Sequence, residues 1–162
     1  LEEIAAAGLS DRIELTLVGT LPRQMNATQA RYHEALTAAA QRQGAQLRAD
    51  LPYRAMGAVY AAARVCVLPS TYETLGIAPV EGMAYGVVPV ISRVCGCAGY
   101  IEPARNGLLA DMDRPGDLGA QLQRLVDDPA LLARLSAGAR ATAQGELGPD
   151  RFVQRVEALI DR

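Results

Sequence analysis

Lysine is absent from the 162 residues, so all sixteen basic side chains are arginines. Tryptophan is absent too, histidine and phenylalanine occur once each, and aromatics make up only 4% of the chain. Half the residues are nevertheless hydrophobic, so Ala, Leu and Val must supply the core. There is no basic run and the net charge is −2, which argues against nucleic acid or an anionic membrane as main partner. No uncharged run approaches the ~18 residues of a membrane span, and no signal peptide is visible. Cysteine is scarce and odd in number: Cys66, Cys95 and Cys97, two of them too close in sequence to staple much. That usage points to a reducing cytoplasm. The chain opens on Leu1 rather than methionine, and we expect it to be a piece of something longer.

What is present fits one domain of ordinary size, residues 1–162, built from alternating elements. Ile13, Leu15 and Leu17 alternate with polar residues and stop at Gly19, which predicts a strand. Asn26 or Thr28 is placed to cap a helix through Leu36 and Ala40 to Gly44, and a weak strand follows at 46–48. Residues 53–63 read as a helix with Met56, Val59 and Tyr60 as its apolar stripe. Val65 to Leu68 is short, apolar and β-branched, the pattern of a strand covered on both faces, and 87–91 repeats it. Leu108 and Leu109 suggest a shorter strand. Helices are then expected over 117–126, over 129–138 behind an Asp128 cap and Pro129, and over 152–160. Strands alternating with helices predict an α/β fold: a doubly wound, mostly parallel, Rossmann-like sheet with helices on both faces. Such sheets bind ligands at the carboxyl ends of their strands.

The stretch YETLGIAPVEGMAYG, residues 72–86, carries two glutamates, Glu73 and Glu81, inside an apolar segment. After the strand ends at Pro69, a loop bears Ser70 to Glu73, and Gly76 turns the chain into a helix that suits Pro79 and ends at Gly86. Val80, Met83 and Ala84 make its expected buried stripe. The free N–H groups near Gly76 and Ile77 then leave a helix N-terminus at the ligand-binding edge, where phosphate is favoured. Glu81 falls about one turn inside, roughly 6 Å below Ile77 at ~1.5 Å per residue. A carboxylate there repels phosphate but accepts hydrogen bonds from vicinal hydroxyls such as those of ribose. The arrangement suits a nucleoside diphosphate carrying a sugar.

The run LPSTYETLGIAPVEGMAYGVVPVIS resembles the donor-binding half of retaining, two-domain glycosyltransferases of the GT-B fold, the glycogen-synthase-like family 4. Their signature is a Glu, seven residues and a second Glu, placed after an apolar strand ending in Pro-Ser. A small-residue helix and a Gly-x-Pro-Val strand follow. The resemblance extends from IELTLVG through YAAARVCVLPS to NGLLADMDRPGDLGAQLQRLVDD, most of the chain. It implies that Glu81 binds the ribose hydroxyls and that Glu73, the catalytic candidate, contacts the donor sugar. The segment Thr74, Leu75, Gly76 and Ile77 would cradle the diphosphate, and Leu51 would flank the base. The implied substrate is a UDP-, GDP- or ADP-sugar, transferred with retention at the anomeric carbon. No cofactor is implied, and no metal, because Asp111-Met-Asp113 follows a short strand and reads as a cap for the next helix.

The chain also departs from the family. The Arg and Lys that neutralise the leaving diphosphate are not found, an aromatic before the motif glycine is Leu75, and an acidic residue before the second strand is Arg64. A Gly-Gly turn has become Gly96-Cys97-Ala98-Gly99. The acceptor-binding N-terminal domain lies outside these residues; we expect it in the parent protein, where it would allow peripheral attachment at the inner membrane. This chain alone is expected to bind without transferring sugar. A stand-alone nucleotide-binding module is the alternative. A nicotinamide-dependent oxidoreductase is set aside, since LVGTLPRQM has one glycine followed by Pro22. Cys95-x-Cys97 lacks the second pair a zinc site needs, His33 reads as a surface histidine, and Arg48 and Arg54 read as surface arginines.

Overall fold

The computed structural model describes residues 1–160, apart from the side chains at 149, 152, 155, 156 and 159. It falls into two compact units, Leu1–Val59 and Tyr60–Arg162.

The first unit contains helix α1 (Glu2–Ala6), strand β1 (Thr16–Gly19), helix α2 (Ala27–Arg42) and strand β2 (Gln46–Ala49). β1 and β2 pair in parallel, Thr16 opposite Gln46 and Gly19 opposite Ala49. The alternation from Ile13 yields a strand only from Thr16 onward, and α1, five residues long, left no periodic signal. Asn26, not Thr28, caps α2. Its side chain accepts the Gln29 N–H at 2.9 Å while the Gln29 side chain accepts the Asn26 N–H at 3.1 Å. The helix ends before Gly44, whose φ of 63° needs a glycine. His33, expected at the surface, is half-buried. It shares a helix face with Leu36, Thr37 and buried Ala40, and its Nε2 is buried with no hydrogen-bond partner among the described residues.

Helix α3 (Tyr53–Ala62) leads into β3 (Val65–Leu68), α4 (Ile77–Ala84), β4 (Val88–Ser92), a 3-10 turn (Gly96–Tyr100), β5 (Leu108–Ala110) and three helices: α5 (Asp117–Asp127), α6 (Pro129–Gly145) and α7 (Pro149–Ile160). The strands of the second unit form a parallel three-stranded sheet in the order β3-β4-β5. All pairings in both sheets are parallel, as the α/β pattern predicts. β4 is central and every residue of it is buried, whereas β3, expected to be covered on both faces, is half-buried throughout. Pro89 lies inside β4, where a missing N–H ordinarily costs a ladder bond. The Val88 N–H donates to Arg64 C=O on the β3 side, so position 89 directs its nitrogen toward β5. β5 pairs only from Val90 onward, so nothing there awaits the missing donor.

The core of this unit gathers Met83, Ile91, Cys95, Cys97, Ile101 and Ala139, with Leu68, Val80, Leu109 and Ala143 packed around them. α6 supplies polar anchors as well. Ser136 Oγ donates to Gly86 C=O at 2.6 Å and Arg140 Nη2 donates to Tyr85 C=O at 2.8 Å. The stop expected at Gly138 does not occur, and α6 continues to Gly145. Gly138 is interior because its missing side chain makes room for a crossing backbone: a Cβ there would lie 1.9 Å from Arg105 O. The Asp111–Asp113 pair does not cap α5 either. That cap is Gly116, and Asp117 Oδ2 instead accepts the Asp111 N–H at 2.8 Å. On α7, Val153 and Ile160 are exposed, and the rest of the expected stripe (152, 156 and 159) lies outside the described side chains.

Candidate functional site

The loop leaving β3 and the start of α4 bring together most of the residues singled out in the sequence. Gly76 is the helix N-cap in the left-handed region, φ 76° and ψ 66°. A Cβ there would meet Leu68 Cδ2 at 2.7 Å and Cys97 Sγ at 3.2 Å, so both conformation and space demand glycine. No side chain caps α4 and no acidic residue sits in its first turn. The amides of Ile77 and Ala78 precede those that helix bonding satisfies, and Pro79, third in line, has no N–H to orphan. Thr74 is exposed, Leu75 and Ile77 are 48% and 59% exposed, and the helix start is open to a ligand.

The two carboxylates are held differently. Glu73, half-buried, folds back so that its Oε1 accepts the Leu75 N–H at 3.2 Å. Of the main-chain donors expected to face a diphosphate, Leu75 is therefore turned toward Glu73. Glu81 lies inside α4, and its Oε2 accepts the Tyr60 O–H at 2.9 Å. Tyr60 is itself buried and its ring lies 5.6 Å from that of Tyr85, tilted by 36°. Sequence reasoning places Tyr60 only in an apolar stripe. The available signal is its hydroxyl, since a buried tyrosine needs a hydrogen-bond partner. Ala84, expected in the buried stripe of α4, is exposed, and Gly82 takes the buried place. Leu51 belongs to the other unit, in the turn between β2 and α3.

Beneath the loop lie the cysteines. Cys95 is bridged in parallel to Glu73, and its thiol points to Leu68 C=O at 3.9 Å. Burial above all pushes the Cys66 thiol up to about 11, with Cys97 adding to it. Burial likewise raises Cys95, helped by Glu73, and Cys97, helped by Cys95. These thiols stay protonated at neutral pH, which makes them packing atoms rather than nucleophiles. Among the described residues no three His, Cys, Asp or Glu side chains converge on a point where a metal ion would fit.

An uncapped helix N-terminus, flanked by one carboxylate in the preceding loop and another a turn inside, is suited to an anion joined to hydroxylated groups. Known proteins resemble the chain in sequence and in fold. The family model described as "Glycosyl transferases group 1" matches residues 3–142. D-inositol 3-phosphate glycosyltransferase 1 of Catenulispora acidiphila is 33% identical over 118 residues, 72% of this chain and 28% of that protein. The enzyme of that name from Thermomonospora curvata is 38% identical over 97 residues, 60% of this chain and 22% of its own length. The chain thus spans little more than a quarter of such relatives at most. Among solved structures, sucrose-phosphate synthase from Thermosynechococcus elongatus superimposes with a TM-score of 0.74 at 27% identity, covering 99% of this chain and 42% of that one. Anabaena HepE, solved with UDP-glucose, gives 0.78 at 19% identity over 99% and 45%, a likeness of fold.

Proposed function

Because the chain belongs to the group 1 glycosyl transferases, we propose that it is the nucleotide-sugar-binding domain of a retaining, family 4 enzyme of GT-B architecture. The observation that carries this reading is the open N-terminus of α4 between Glu73 and Glu81. In this scheme the diphosphate lies against the amides of Thr74, Gly76 and Ile77, next to Leu75. Glu81, oriented by Tyr60, accepts the two ribose hydroxyls; Glu73 is the catalytic candidate and faces the donor sugar. The diphosphate gains negative charge as it leaves, and one helix N-terminus supplies only about half a unit of positive charge. The chain has no lysine and no basic cluster in its motif loops, so we assign the remaining positive charge to an Arg and a Lys of this domain that lie outside these 162 residues, and the acceptor site to a second domain of the parent protein. The enzyme would be cytoplasmic, reaching the inner membrane, if at all, through that domain.

Calorimetry with UDP, GDP and ADP tests the reading, with UDP-glucose, the compound solved with HepE, as the first sugar donor. Binding in the ~0.1–1 mM range is expected, a few kcal/mol short of a complete site. Glu81→Gln should weaken the preferred nucleoside diphosphate roughly tenfold, as a carboxylate's hydrogen bonds are worth about 1.5–3 kcal/mol each and an amide retains part. Glu73→Gln should leave that affinity within about twofold, since its partner there is the sugar. Equal losses in both variants would refute this division of labour. Sugar transfer by these 162 residues alone would refute the need for a second domain.

Tyr60→Phe gives an independent check. It keeps the buried ring and its contact with Tyr85 but removes the O–H that Glu81 Oε2 accepts. A loss of about 1 kcal/mol in stability is expected. Nucleotide affinity should fall a few-fold with it, whereas ligands lacking ribose should bind this variant and the parent chain alike. Unchanged nucleotide affinity would show that Tyr60 does not orient Glu81 for binding.

A further inference from the structure

The phosphate-facing loop is held from behind by two consecutive residues, Gly96 and Cys97. Past the end of β4 the chain turns so that Gly96 N–H donates to Glu73 C=O at 3.0 Å and Cys97 N–H donates to Leu75 C=O at 2.7 Å. The two bonds skip Thr74, whose carbonyl fills the place where any side chain at position 96 would stand. A Cβ on Gly96 would lie 1.9 Å from Thr74 O, 2.8 Å from Thr74 C and 3.1 Å from Leu75 Cα. Those are main-chain atoms, which cannot rotate aside as the tip of a side chain does. Cys97, fully buried, sets its Sγ under Gly76.

Peptide planarity converts this grip into a direction for the opposite donors. In a trans peptide the C=O of one residue and the N–H of the next point opposite ways. Fixing Glu73 C=O on Gly96 therefore aims the Thr74 N–H away from the 95–97 segment. Fixing Leu75 C=O on Cys97 aims the Gly76 N–H the same way. Leu75 N–H, between them, is satisfied by Glu73. We infer that Gly96 and Cys97 are positioning residues for the donor diphosphate, holding the Thr74 and Gly76 amides toward it by fixing the carbonyls on the other side of each peptide plane. This rests on the nucleotide-sugar reading of the loop, and it assigns a purpose to the Gly96-Cys97 pair that the reading itself does not.

Two variants and one ligand-free measurement test it. Gly96→Ala should lose at least tenfold in UDP affinity while uridine, which has no phosphate, changes less than twofold. Gly99→Ala, in the same 3-10 turn but with nothing within 4 Å of the added Cβ, should bind both like the parent chain. Amide exchange followed by NMR on the unaltered chain needs no variant to fold and no nucleotide to bind. Gly96 and Cys97 should exchange slowly, and Thr74 and Gly76 quickly; UDP should then slow the latter pair. Gly96→Ala binding UDP like the parent chain, or fast exchange at Gly96 and Cys97, would overturn the inference. Should UDP, GDP and ADP all fail to bind while Gly96 and Cys97 exchange slowly, the nucleotide-sugar reading falls and the inference about the diphosphate falls with it, but the grip on the loop stands.

Discussion

Replacing Asn106 with alanine is expected to cost the fold about 3–4 kcal/mol, a large share of the 5–15 kcal/mol that typically separates folded from unfolded chains. Asn106 has no exposed surface and every polar atom of its side chain is used. Oδ1 accepts the Glu102 N–H at 2.7 Å, and Nδ2 donates to Tyr100 C=O at 2.9 Å and to Thr142 Oγ1 at 3.0 Å. Each bond contributes about 1 kcal/mol net, and truncation also leaves buried groups unpaired and a small void. Thermal denaturation should show a midpoint lowered by about 6–16 °C for a chain of this size. Asn106→Asp separates hydrogen bonding from volume. A buried carboxylate is driven toward its neutral form, which can donate one bond, so that variant should lose less at pH 4 than at pH 7. An alanine variant as stable as the parent chain would show that these three bonds contribute nothing to the fold.

Gly138→Ala should be comparably damaging, about 3 kcal/mol or more, although the same change inside an exposed helix ordinarily gains up to ~1 kcal/mol. The sign reverses because of what crosses the helix. The new methyl would stand 1.9 Å from Arg105 O and 2.9 Å from Arg105 C. Relief requires α6 to retreat by roughly 1 Å or more, and close-packed interiors resist such shifts. Leu135, Ala139 and Thr142, all buried on α6, would move with it. Since Asn106 sits beside Arg105 and bonds to Thr142, the two lesions act on one contact, and the double variant should lose less than the sum. Denaturant midpoints of both single variants and the double variant decide it. A neutral or stabilising Gly138→Ala would mean that α6 and residue 105 lie further apart than described.

Local rules suffice where one signal governs an element. The capping pattern at Asn26 places α2, Asp128 followed by Pro129 places α6, and the apolar runs at 65–68 and 87–91 place β3 and β4 within a residue. They fail where a residue answers to a distant partner. Gly138 carries the local signature of a helix stop, but it serves a backbone more than thirty positions away in sequence. His33 looks polar among polar neighbours, yet faces the side on which Ala40 is buried. Asp111 and Asp113 have cap-like spacing, while the cap is a glycine in the left-handed region. At the candidate site, the loop, its glycine and both glutamates are legible because they are contiguous. Tyr60 and the grip of 96–97 are not, because Tyr60 meets Glu81 through one side-chain bond from 21 positions away and the grip is made of backbone bonds that leave no side-chain signature.

The bonds from α6 to Tyr85 and Gly86 set a limit on how far the gene can be trimmed. A product ending before Arg140 would strand the Tyr85 carbonyl, and one ending before Ser136 would strand that of Gly86, just where α4 hands the chain to β4. Thr142, which anchors Asn106, is the last tooth of this latch, and the match to the family ends at the same residue, 142. The carboxyl-terminal half of α6 therefore holds the junction of α4 and β4 in place although none of it lines the candidate site.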